Sequence, residues 1–148
     1  MQRDPRFKQG VYKPINSEKF INKTPIYRSS WERKFMYWCD TNPNVLAVGS
    51  ENIIVPYKSP IDNKVHRYYV DNFVIIKEGD KTTKYLIEIK PKKQTEAPIK
   101  SNKKKKTTII YEQATWAVNQ AKWKAATDYA AKRGYSFLLL TEEQLFNK

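Results

Sequence analysis

Between residues 85 and 90 the chain reads Tyr-Leu-Ile-Glu-Ile-Lys. A strand sends successive side chains to opposite faces, so Leu86, Glu88 and Lys90 share one face and Tyr85, Ile87 and Ile89 the other. The run is apolar enough for a buried strand. A carboxylate and an ammonium on one face of such a strand cost desolvation energy unless each is paired or holds a ligand. Two readings stand at this point: a structural ion pair at a strand end, or half of a metal-dependent phosphodiesterase site.

Upstream, residues 66–76 (His-Arg-Tyr-Tyr-Val-Asp-Asn-Phe-Val-Ile-Ile) predict one longer strand interrupted by Asp71, a residue poorly suited to strand interiors. Glu78-Gly79-Asp80 reads as a turn, so the two strands form an antiparallel hairpin. Shorter strands are expected over 45–50, 53–57 and 135–140. Helical periodicity marks two further stretches. Ser29 followed by Glu32 is a capping-box pattern. Trp31, Phe35 and Trp38 then recur at i, i+4 and i+7 as a core-facing stripe, and Asn42-Pro43 ends the helix. Glu32 is explained by capping, and it also stands close enough to the stripe to face inward. Residues 109–133 predict the longest helix. Its apolar stripe is Ile110, Ala114, Ala117, Val118, Ala121, Ala125 and Tyr129, with Trp116, Asn119, Gln120, Lys122, Trp123 and Lys124 opposite. Gly134 suits its C′ position. Thr141 with Gln144 caps a short final helix.

The remaining stretches are basic. Residues 1–28 read as an extended N-terminal arm lying on the domain, with a short turn near 17–21. Residues 91–107 read as a mobile loop, since like charges repel and nothing apolar holds them. One domain over 29–148 is expected, an α/β sandwich whose mixed sheet is flanked by helices from both ends of the chain.

Composition narrows the chemistry. The 148 residues suit one domain with a core. A formal charge of +13 on so small a chain points to a polyanionic partner. No apolar run approaches the ~20 residues of a membrane-spanning helix. The first residues lack the apolar core of a signal peptide, so a cytoplasmic protein is expected. One Cys39 and one His66 leave no Cys/His zinc site and no internal disulfide. No glycine-rich phosphate loop or nucleophile elbow occurs. Carboxylates, lysine and an oxygen-preferring metal remain as the chemistry of an enzyme.

Asp71 and Glu88 on neighbouring strands bring two carboxylates to one edge of the sheet, where they repel unless a cation lies between them. Glu32, Asp71 and Glu88-Ile89-Lys90 resemble the PD-(D/E)xK nucleases, the restriction-endonuclease-like superfamily. Val70 stands where that family often has Pro. Within the superfamily, residues 66–71 and 86–91 resemble the TnsA-type transposon endonucleases. With the chain length, the lysine-rich loop and the short C-terminal extension, they also resemble the head completion nucleases of T4-like phages.

The resemblance implies endo- or exonucleolytic cleavage of DNA with Mg²⁺ or Mn²⁺. Asp71, Glu88 and the Ile89 carbonyl would be the ligands, and Glu32, Asp71, Glu88 and Lys90 the catalytic residues. It further implies action on packaged DNA in the infected cell as heads are completed and joined to tails. Phage head or neck proteins would then be partners, with virion association and a homodimer to cut both strands. Lys92, Lys93, Lys103, Lys104, Lys105, Lys106 and Lys122 are the expected DNA contacts, and Gln120 lies where some relatives carry a further polar residue. The competing reading is a non-catalytic nucleic-acid-binding module that stacks bases on exposed Trp116 and Trp123.

Overall fold

A computed structural model describes residues 9–146. In chain order its elements are β1 (Gly10–Val11), β2 (Ile26–Tyr27), α1 (Ser30–Thr41), β3 (Val45–Ser50), β4 (Ile54–Lys58), β5 (Val65–Tyr69), β6 (Asn72–Glu78), β7 (Lys81–Ile89), α2 (Lys106–Lys132), β8 (Ser136–Leu140) and α3 (Glu142–Phe146). The central sheet has the order β3-β6-β7-β8. The first three strands pair antiparallel, and β8 pairs parallel to β7 after the crossover through α2. The sheet is thus mixed, as the strand and helix order implied.

The alternation along β7 sets the layers. Leu86 packs with Phe73, Trp123, Ala126 and Ala130 under α2. Ile87 and Ile89 pack with Phe35, Cys39, Val45, Val48 and Val74 under α1. Both faces are therefore covered, and burying a side chain such as Leu86 contributes about 1.5–3 kcal/mol. Helices on both sides of a mixed sheet make a three-layer α/β sandwich of the restriction-endonuclease-like type.

Three sequence expectations need correction. The strand over 66–76 is two strands. β5 pairs with β4 in a separate two-stranded ribbon, while β6 joins the central sheet. The break falls at Val70 and Asp71, because the Asp71 carboxylate is directed to a neighbouring backbone rather than to solvent. On α1 the buried face is Glu32, Phe35, Met36, Cys39 and Asp40, with Trp38 left 43% exposed. Asp40 is drawn in because it accepts hydrogen bonds from Tyr12 Oη and from the Ile15 and Asn16 amides, each 2.8 Å. Burial opposes the charge on Asp40, but these donors outweigh it and hold its pKa below the ordinary value. On α2 the buried residues are Asn119, Trp123, Ala126 and Ala130, whereas Ile110 is exposed. Helix α2 also starts at Lys106, before the expected 109.

Candidate active site

The β6–β7 hairpin pairs Asn72 with Ile87 and Phe73 with Leu86. Continuing that register by one residue puts Asp71 opposite Glu88, so both carboxyls fall on the α2 side. Ile89 N–H faces the β6 side, because Lys90 N–H on the other edge bonds the Leu140 carbonyl. There the β6 ladder has ended, and Asp71 Oδ2 accepts from Ile89 N–H at 2.9 Å. Asp71 thus takes the place of a missing ladder partner. Its carbonyl accepts from the amide of Glu51, which has a left-handed backbone (φ 50°).

Glu88 is buried, with Oε1 accepting from Tyr68 Oη at 2.6 Å and Oε2 3.7 Å from Lys90 Nζ. Burial raises its proton affinity first. Lys90, the Tyr68 hydroxyl, Lys122 and a hydrogen bond shared with Asp71 all pull the other way. The Asp71 residue is half-buried but its carboxyl is enclosed, and enclosure, Glu88 and Glu32 push its pKa well above the ordinary carboxylate range.

Glu32 arrives from the opposite layer. Ser29 Oγ accepts from Glu32 N–H at 3.1 Å, the expected N-cap. The carboxylate turns back to Arg28 N–H at 3.2 Å, one residue earlier than a capping box requires. Its pKa is raised to about 7, by burial first and then by Glu88 and Glu51. Glu32 therefore caps its helix and also shares the field of the other two acids.

The remaining expected residues separate into two sets. Lys122 is half-buried, with Nζ 5.5 Å from the Tyr68 ring centre. Burial lowers its pKa, against the attraction of Glu88 and Asp71. Gln120 is exposed. Lys92 is tied to α3, its amide donating to Glu142 and its ammonium 3.4 Å from Glu143. Lys93 is exposed. Lys104 pairs with Glu112 at 2.8 Å and donates to the Ile99 carbonyl. Lys103, Lys105 and Lys106 are exposed, with Lys106 in the first turn of α2.

Two neighbours of the site were missed by the sequence reading. Tyr68 carried no signal beyond its place three residues before Asp71. Arg28 feels both Glu32 and Asp71 while its guanidinium grips Glu51.

The donor set suits a hard divalent cation. Burial raises the proton affinity of both carboxyls, Glu88 raises that of Asp71 further, and the hydrogen bond they share marks the place a cation would take from a proton. Among the described residues no three His, Cys, Asp or Glu side chains gather as a metal-holding group. Mg²⁺ commonly uses only one or two carboxylates, with waters and phosphate oxygens completing its shell.

Residues 42–142 match the family model described as TnsA-like endonuclease N terminal, a span that includes Asp71, Glu88, Lys90 and Lys122 and leaves Glu32 outside. The chain is also 40% identical over 144 residues to the head completion nuclease of Enterobacteria phage T4, with 92% of each chain covered. A family model spanning most of the chain, and a full-length relative that is itself a nuclease, agree with a hairpin mouth built from two acids and a lysine: the chain belongs to the TnsA-like endonuclease family.

Proposed function

We propose that this chain is a divalent-metal-dependent DNA endonuclease that acts on packaged phage DNA as heads are completed. The observation that carries the reading is the enclosed Asp71–Glu88 pair at the open end of the hairpin, with Lys90 Nζ 3.7 Å from Glu88 Oε2. Asp71, Glu88 and the Ile89 carbonyl would hold Mg²⁺ or Mn²⁺. When bound, the ion supplies Lewis-acid polarisation of the scissile phosphate and a more acidic water. Lys90 orients the attacking water and balances charge developing on the phosphate. Glu32 completes the acidic wall from the α1 side. The +13 charge favours the polyanionic substrate, with exposed Lys93, Lys103, Lys105 and Lys106 on flanking phosphates. The name of the T4 relative supports the stage of action, and a duplex cut on both strands calls for two copies of the site.

The base-stacking alternative loses its premise. Trp123 is buried and Trp116 half-buried, their rings packed edge to face at 6.4 Å. Supercoiled plasmid incubated with Mg²⁺ should be nicked and linearised, and Asp71→Asn or EDTA should stop it. Undiminished cutting after exhaustive chelation would overturn the metal mechanism.

A further inference from the structure

The two oxygens of Glu88 have different neighbours. Oε1 accepts the Tyr68 hydroxyl at 2.6 Å, a short bond of the charge-assisted kind. Oε2 is the oxygen 3.7 Å from Lys90 Nζ. Tyr68 reaches this point from the β4–β5 ribbon rather than from the central sheet. The residue is 4% exposed, in the cluster of Val70, Leu86 and Trp123, with the Lys122 ammonium 5.5 Å from its ring centre. Neither partner is free to turn away, so the hydroxyl holds Oε1 in one direction.

We propose that Tyr68 is a positioning residue that occupies Glu88 Oε1 and restricts Glu88 to ligation through Oε2, an inference resting on the metal reading above. One-oxygen ligation keeps the coordination number low. Mg²⁺ demands a near-ideal octahedral shell, whereas Ca²⁺ accepts six to eight oxygens and two-oxygen carboxylates. Tyr68 therefore favours Mg²⁺ over Ca²⁺ at this site. A phenol retained only to fill the core would have no effect on that ratio.

The test is calorimetric titration of the full chain, without DNA, with MgCl₂ and separately CaCl₂. Tyr68→Phe keeps the ring and removes the hydroxyl. Its Mg²⁺ affinity should fall about tenfold, the lower end for loss of a partner to a metal ligand, while Ca²⁺ affinity falls by a smaller factor. An unchanged Mg²⁺ affinity, or equal losses for both ions, overturns the positioning role. Asp71→Asn is the parallel control. If it binds both ions like wild type, or if wild type binds neither, the metal reading itself fails. A measurement on wild type covers the case of a variant that does not fold. With glutamate ¹³C-labelled at Cδ, the infrared carboxylate bands that shift on Mg²⁺ binding should show the wide splitting of one-oxygen ligation. The narrow splitting of two-oxygen ligation would refute the proposal.

Discussion

Replacing Glu32 with Gln tests the electrostatics of the site apart from cleavage. In the folded chain Glu32 keeps its proton up to about pH 7 rather than its ordinary 4.5. A carboxyl with a raised folded-state pKa stabilises most below 4.5. Its contribution is lost progressively between 4.5 and about 7, and is absent above that. At about 1.4 kcal/mol per pH unit, the total is about 3 kcal/mol for this 8%-exposed side chain.

Gln keeps a carbonyl to accept from Arg28 N–H and carries no charge. Glu32→Gln should therefore match wild type near pH 4.5 and exceed it by up to about 3 kcal/mol at pH 8. At roughly 2–4 °C per kcal/mol, its melting temperature should rise by several degrees. Urea unfolding in EDTA at pH 4.5, 6 and 8 reads the effect directly. Some slope will persist, because Asp71 and Glu88 are also raised. A variant with the wild-type slope, or one less stable than wild type at pH 8, would refute the argument. Cleavage should suffer less from Glu32→Gln than from any change at Asp71.

Asp71→Asn and Glu88→Gln should abolish plasmid cleavage while melting within a few degrees of wild type. Asp71→Ala should be about 1–3 kcal/mol less stable than Asp71→Asn in urea unfolding, because Ile89 N–H then has no acceptor. Lys90→Ala should lower the cleavage rate more than calorimetric Mg²⁺ affinity, since an ammonium is no ligand. Substituting Ser at 103–106 should reduce the slope of log K against log salt by less than about 3.6, the value for four free lysines, because Lys104 is engaged by Glu112. Filter binding in Ca²⁺ at several salt concentrations measures it, and an unchanged slope would mean that these lysines face away from DNA. Asp40→Ala should cost about 2–4 kcal/mol in urea unfolding, because it orphans the Tyr12 hydroxyl and two amides together.

How legible these features were depended on contrast between neighbouring side chains. At the end of β7 the alternation Ile87-Glu88-Ile89-Lys90 separated the two faces, so Glu88 and Lys90 could be placed from sequence. On α1, Trp38 suggested the core and Asp40 carried no signal. Asp40 is nonetheless buried, because its fate depends on donors some 25 residues upstream, which no local pattern reveals. On α2 just over half of the 27 positions are alanine, aromatic or lysine, and amphipathic side chains lie along either face. Asp71 was recognisable as misplaced in a strand, but the strand break that accommodates it was not. Tyr68 and Tyr69 are adjacent and identical, yet one is buried against Glu88 and the other is 46% exposed. Only the ribbon's separation from the sheet distinguishes them.

The hairpin that joins the two acids closes at Gly79 and Asp80, where Gly79 takes a backbone φ of 65° open to glycine at little cost. From Lys81 to Glu88 the strand runs roughly 24 Å, so the turn lies a domain's breadth away from the chemistry. Yet the pairing zipped from that turn decides which side chain meets Asp71 at the far end. A slip of one residue would turn Glu88 into the apolar layer beneath α1, toward Phe35 and Cys39, and offer an isoleucine in its place. The geometry of the candidate site is thus inherited from a remote bend, and lesions there should disturb it without touching any of its residues.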